Sequence, residues 1–215
     1  GDVNLAANIT TTDSDLTIGG NLVLAEGATP TLSTGAGTAG NILISGSTDG
    51  TAGAAVETLT LQAGRNISIL QTVGIPFGAL TAVAGDPAAD PAHRDAGTPT
   101  ITIAHICPEG CVDTIATGGV TTLAAIGGRV VNRAGEDAIA GRWLIYAADP
   151  APPTEGFASY NKHYDQTYTP GVTPAYARRG NWFLYSIAPT ISVASGDQTI
   201  TYGDALPTFS PSYSG

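Results

Sequence analysis

The chain has 215 residues, eight basic against 18 acidic side chains, and a formal net charge of −10. No basic patch is present, so the composition argues against nucleic acid as a partner. Only 12% of residues are charged, methionine is absent, and no segment follows the 3.6-residue period of an amphipathic helix. No apolar run approaches the ~20 residues of a membrane-spanning helix. We therefore predict an all-β protein.

Short strands separated by glycine-rich turns are predicted along most of the chain. In chain order, they cover residues 3–5, 9–12, 16–18, 22–24, 31–33, 42–44, 59–61, 67–70, 100–103, 114–115, 120–124, 129–131 and 139. Two stronger and more apolar strands follow, at 141–150 and 181–187. The segment 85–99 is rich in proline and charge, which predicts a surface loop.

A four-residue motif led by asparagine occurs three times, beginning at Asn21, Asn41 and Asn66. Its second and fourth residues are aliphatic and point to the same face of a strand. We predict that Ile42 and Ile44 stack between Leu22/Leu24 on one side and Ile67/Ile69 on the other. A second series is formed by Leu32, by Leu59 and Leu61, and by Leu80 and Ala82.

Two interleaved series of short strands indicate a chain that coils and stacks on itself, as in a solenoid. The predicted fold is a right-handed parallel β-helix, which we favour over an antiparallel sandwich. Residues 1–140 are assigned to the β-helical stalk, and 141–187 to an aromatic capping segment that covers its last coil. Residues 188–215 are assigned to the beginning of an immunoglobulin-like module.

The phrases Gly40 to Ile44 and Leu59 to Gly64 resemble the stalks of filamentous-haemagglutinin-type adhesins, the passengers of two-partner secretion. The run from Thr199 to Pro207 is similar to the first strands of the bacterial MBG or YDG immunoglobulin-like repeats. The resemblance implies a non-catalytic structural protein of the bacterial surface or extracellular matrix, secreted through an outer-membrane transporter. Its expected roles are cell adhesion and biofilm formation.

Cys107 and Cys111 flank a short Pro- and Gly-containing loop. In an exported protein, this spacing predicts a disulfide bond. A metal site would need further ligands, and His105 is the only neighbour of a suitable type. We therefore predict no metal site here, while the turn aspartates leave Ca²⁺ binding open without fixing its ligands.

One group of polar side chains is a candidate for polysaccharide cleavage: Asp86, Asp90, His93, Arg94 and Asp95. A solvated loop explains these residues equally well, so we expect no catalytic site. Tyr160, Tyr164, Tyr168 and Trp182 are candidate glycan or partner contacts, because aromatic rings stack on sugars. Packing within the cap is the alternative role for these rings.

The leading hypothesis is a structural adhesin that contacts a cell-surface or matrix component. Two alternatives stay open. One is a fibre subunit that self-associates by strand exchange at an incomplete sheet. The other is a β-helix that binds or cleaves polysaccharide.

Overall fold

The computed structural model describes residues 1–35, 39–53, 55–85, 98–104, 114–150, 156–195, 197, 199–208 and 211–214. The prediction of an all-β protein is confirmed, and the largest sheet is parallel and curls into a half-barrel. The strands are β1 Val3–Leu5, β2 Ile9–Thr10, β3 Leu16–Ile18, β4 Leu22–Leu24, β5 Thr31–Ser33, β6 Ile42–Ile44, β7 Thr48–Asp49, β8 Thr58–Ala63, β9 Ile67–Ile69, β10 Val73–Ile75, β11 Ala79–Ala84, β12 Thr100–Ile103, β13 Ile115–Ala125, β14 Arg129–Asn132, β15 Ile139–Ala147, β16 Asn161–His163, β17 Trp182–Tyr185, β18 Ser192–Ser195 and β19 Pro211–Ser214. One 3-10 helix, Ala175–Arg178, is described.

Parallel pairing arranges the strands of residues 1–132 in three rows, and every third strand from β1 to β12 falls in the same row. Row one contains β1, β4, β7, β10 and the start of β13, and row two contains β2, β5, β8, β11 and the end of β13. The long strand β13 joins these two rows into one sheet, and β15, β17 and β16 bring that sheet to 12 strands. Row three is a separate five-stranded sheet of β3, β6, β9, β12 and β14.

The core is built from side chains that alternate inward along each strand. In row two, one inward column runs through six consecutive strands and each of its members is 0% exposed: Leu32, Leu61, Ala82, Leu123, Ile145 and Phe183. The second series of the sequence therefore lies in one row, with Leu32, Leu61 and Ala82 in register. Such columns remove apolar surface from water continuously along the stack.

The predicted neighbours of Ile42 are half right. Ile42 and Ile44 pair with Ile67 and Ile69 in row three, as predicted. Their partner on the other side is β3, whereas β4 lies in row one between β1 and β7. The placement of Leu22 and Leu24 against Ile42 and Ile44 is therefore wrong. Asparagine precedes strands in both rows, so the motif does not distinguish them.

The parallel sheet continues beyond residue 140, because β15 runs from Ile139 to Ala147 and pairs with β13 along its length. The two C-terminal strands are different, since β18 and β19 pair only with each other and are antiparallel. A hairpin of two strands is marginally stable on its own.

Candidate functional site

The outer face of row three carries an open groove of about 480 Å³, which we call the row-three groove. Nine residues line it: Asp15, Thr17, Asn41, Ile42, Leu43, Asn66, Ser68, Thr100 and Thr102. They come from β3, β6, β9 and β12 or from the residues just before these strands. Parallel register brings them together, because equivalent positions of successive strands stack directly on one another.

One wall of the groove is a column of hydrogen-bonded side chains at the starts of these strands. Asp15 Oδ1 accepts from the backbone N–H of Asn41 at 2.8 Å and from Asn41 Nδ2 at 2.9 Å. Asn41 Oδ1 in turn accepts from Asn66 Nδ2 at 3.0 Å. Asn66 Oδ1 accepts from the backbone N–H of Thr100 at 2.9 Å. The column orients each amide and leaves one Nδ2 hydrogen of Asn41 and of Asn66 without a partner among the described residues.

The floor of the groove is a second column, made of side chains that point outward from the strand centres. It runs from Thr17 to Leu43, Ser68 and Thr102 in strict register. No side-chain hydrogen bond to Thr17, Ser68 or Thr102 occurs within the described part of the chain. The floor therefore offers three available hydroxyl groups beside one isobutyl group.

Asp15 is the acidic end of the groove. The pKa of its carboxyl group is lowered from the usual value, first by the backbone N–H of Asn41 and then by the Asn41 side chain, with a smaller contribution from Arg65. A lowered pKa in the folded state means that Asp15 stabilises the fold above its unfolded pKa. That stabilisation is lost as the pH falls through the folded pKa.

The Asn41→Ala variant tests this column. We expect the pKa of Asp15 to rise part of the way towards its usual value, because the side-chain donor is lost and the backbone donor stays. NMR titration of the Asp15 carboxyl carbon measures the shift. Asn66→Ala is the matched control, since Asn66 does not contact Asp15. In this variant, Asp15 should titrate as it does in the wild type. If the pKa of Asp15 in the wild type is not lowered, the hydrogen bonds of this column would be contradicted.

The second candidate region is aromatic, and strand alternation divides it into an inner and an outer group. On the inner side, the rings of Trp143 and Phe183 are 5.1 Å apart, and Tyr160 meets Phe183 edge-on at 4.7 Å. Tyr164 stacks on Tyr185 at 5.5 Å. Tyr160 and Tyr164 are half-buried against the main core. This is the packing of an apolar cap on the last strands.

On the outer side, Tyr168 and Trp182 pack against a second apolar cluster that includes Leu144, Tyr146 and Leu184. Tyr168 meets Tyr146 edge-on at 5.2 Å, and burial raises the pKa of Tyr146 to about 12. A small cavity of about 130 Å³ lies beside Tyr168. Arg142 donates to the carbonyl oxygen of Ala177, which fastens the covering segment to the sheet.

The four predicted aromatic contacts thus do not form one surface. Tyr160 and Tyr164 lie on one side of β17, whereas Tyr168 and Trp182 lie on the other. Cys107 and Cys111 lie outside the described residues, as do Asp86, Asp90, His93, Arg94 and Asp95. Within the described ranges, no three His, Cys, Asp or Glu side chains come together as metal ligands.

The sequence did not identify the row-three groove. In the sequence, Asn41 and Asn66 are leaders of repeated strands, and Thr100 and Thr102 belong to a predicted strand. Recognising the groove needs the register of β3, β6, β9 and β12, whose equivalent residues are separated by 26, 25 and 34 positions. This uneven spacing hides the column in the sequence.

No helix in the described part of the chain has the length and hydrophobicity to cross a membrane. Comparison with protein-family models, with curated proteins and with solved structures finds no match for this chain.

Proposed function

We propose that the chain is a right-handed parallel β-helix that serves as the stalk of a secreted bacterial surface adhesin or matrix protein. In this role it is non-catalytic and holds a recognition surface away from the cell. The three rows of parallel strands, each with inward columns in register, are the observation that carries the proposal. A stack of this kind lengthens by repetition while each level contacts only its neighbours.

Two further features support a structural role outside the cell. One outward column of row two is short and polar, with Thr31, Thr60, Thr81 and Thr122 in register, and a low-charge hydroxyl surface suits a long exposed stalk. The described core is built mainly from stacked aliphatic side chains. The expected partners are a cell-surface or matrix component and, during secretion, an outer-membrane transporter.

Adhesion of protein-coated beads tests the proposal. Beads carrying the wild-type chain are expected to stay on epithelial monolayers or glass under flow in larger numbers than uncoated beads. Beads carrying Ile42→Asp, which disrupts the core, should be lost. The folded control is Thr60→Arg, whose site lies on the outer face of row two. Equal retention of wild-type and Ile42→Asp beads would show that adhesion does not need the coil.

A second function, self-assembly into fibres, is favoured by the surface of the C-terminal segment. Six large apolar side chains are exposed there: Ile187, Ile191, Val193, Ile200, Tyr202 and Leu206. A two-stranded sheet with exposed apolar side chains can be completed by a strand from another molecule. Sedimentation of the purified protein decides this point, because a monomer at high concentration excludes strand exchange.

A further inference from the structure

We propose that the row-three groove binds an extended, uncharged polysaccharide that runs across the strands, along the axis of the stack. This assigns a ligand class and a site to the adhesive stalk proposed above, and only its biological use depends on that function. The binding itself depends on the geometry and chemistry of β3, β6, β9 and β12.

The first argument is periodicity. Every level of the groove presents one wall residue and one floor residue, and adjacent levels are ~4.8 Å apart. The wall presents Asp15, Asn41, Asn66 and Thr100, and the floor presents Thr17, Leu43, Ser68 and Thr102. A surface that repeats along one axis suits a polymer that also repeats along one axis. The volume of about 480 Å³ falls within the usual range of ligand sites.

The second argument is hydrogen-bonding capacity. The hydroxyls of Thr17, Ser68 and Thr102 have no side-chain partner among the described residues, and each both donates and accepts. The remaining Nδ2 hydrogens of Asn41 and Asn66 add donors along the wall. Sugar hydroxyls match this mixture, while half-buried Leu43 offers an apolar contact for the C–H face of a ring. Because the wall amides are already held by hydrogen bonds, little ordering is needed on binding.

The third argument excludes two other ligand classes. A polyanion is disfavoured by ionised Asp15 in the groove and by the net charge of −10. An extended peptide would bind to a free strand edge, but β6, β9 and β12 are each paired on both sides. The groove therefore offers side chains rather than backbone, and those side chains are mainly uncharged.

Binding of defined hexasaccharides tests the proposal. Cellohexaose and chitohexaose are the extended neutral probes, and hexagalacturonate is the extended anionic probe. Titration calorimetry of the wild type is expected to show saturable binding of at least one neutral probe and weaker binding of hexagalacturonate. In NMR spectra of the wild type, amide shifts should concentrate at Leu43, Ser68 and Thr102.

Thr102→Arg and Thr60→Arg form a matched pair of variants. Each places the same long side chain at an outward position within a strand, the first on the groove floor and the second on row two. Thr102→Arg is expected to weaken binding by about tenfold, the equivalent of one or two lost hydrogen bonds. Thr60→Arg should bind as the wild type does.

Three results would overturn the proposal: no saturable binding of either neutral probe, tighter binding of hexagalacturonate, or equal losses in the two variants. The NMR map keeps the test valid even if Thr102→Arg folds poorly, because shifts outside the groove would also overturn it. Groove binding without bead adhesion would refute the adhesive function and leave this inference standing. Bead adhesion without groove binding would refute this inference and leave the adhesive function standing.

Discussion

Ile42→Asp is expected to prevent folding of the parallel sheets. Ile42 lies on an interior strand of row three, paired with Leu16 on one side and Ile67 on the other, and is 1% exposed. An aspartate there would place a carboxylate among aliphatic side chains with no polar partner. We expect a loss of more than about 4 kcal/mol in the free energy of unfolding, which exceeds the effect of most single substitutions. Circular dichroism and urea unfolding measure it.

Leu43→Asp is the control for this prediction. Leu43 follows Ile42 directly but points outward and is only partly buried. The carboxylate of an aspartate at this position would therefore stay in contact with water. The expected cost is about 1 kcal/mol, set by the lost outer contacts and by the lower strand propensity of aspartate. Similar unfolding midpoints for the two variants would show that the assigned faces of β6 are wrong.

The alternation of apolar residues was enough to locate most strands. β3, β4, β5 and β6 have the bounds that the sequence predicted, because their aliphatic side chains alternate inward between glycine-rich turns. β7 and β10 were missed. Thr48 points inward although it is polar, and in β10 a glycine separates the inward side chains of Val73 and Ile75, so the local strand propensity of both segments is low. Neighbouring strands of row one impose the conformation that local propensity does not.

The row to which each strand belongs could not be predicted from the sequence. Asn21 caps row one, where Ser47 N donates to its side chain, and Asn41 caps row three in the same manner. The same residue thus serves the same purpose in two rows, so the motif marks the start of a strand without identifying its partner. β13 gave a related difficulty, since two predicted strands merge through a register shift between Ala116 and Val120.

Prediction of the candidate sites was limited in the same way, because the sites depend on which strands pair. Aromatic composition correctly located the region in which large rings cluster, but alternation along β17 places Phe183 inside and Trp182 outside. The row-three groove depends entirely on the register between strands that are far apart in the sequence. A single residue of the groove, such as Ser68, is an ordinary outward-facing strand position until β6 and β12 lie beside it.

Close packing of neighbouring strands also restricts the turns between them, and Gly78 is the clearest case. A Cβ atom at Gly78 would overlap the carbonyl oxygen of Glu57, which lies just before β8 and accepts a hydrogen bond from Ala79 N at 3.1 Å. The obstacle is backbone, so no side-chain rotation can relieve it. Gly118 has the same relation to the carbonyl oxygen of Pro76.

Gly78→Ala is therefore expected to lower the free energy of unfolding by about 3 kcal/mol, because the starts of β8 and β11 must separate locally to accept one methyl group. Gly74→Ala is the matched control four residues earlier, since its Cβ would meet no atom closer than Asp49 Oδ1 at 3.8 Å. This control should lie within about 0.5 kcal/mol of the wild type. Urea unfolding of both variants measures the difference. Equal stabilities would mean that Gly78 and the backbone of Glu57 are not in van der Waals contact. The expected difference would indicate that the spacing of neighbouring parallel strands requires glycine at this turn.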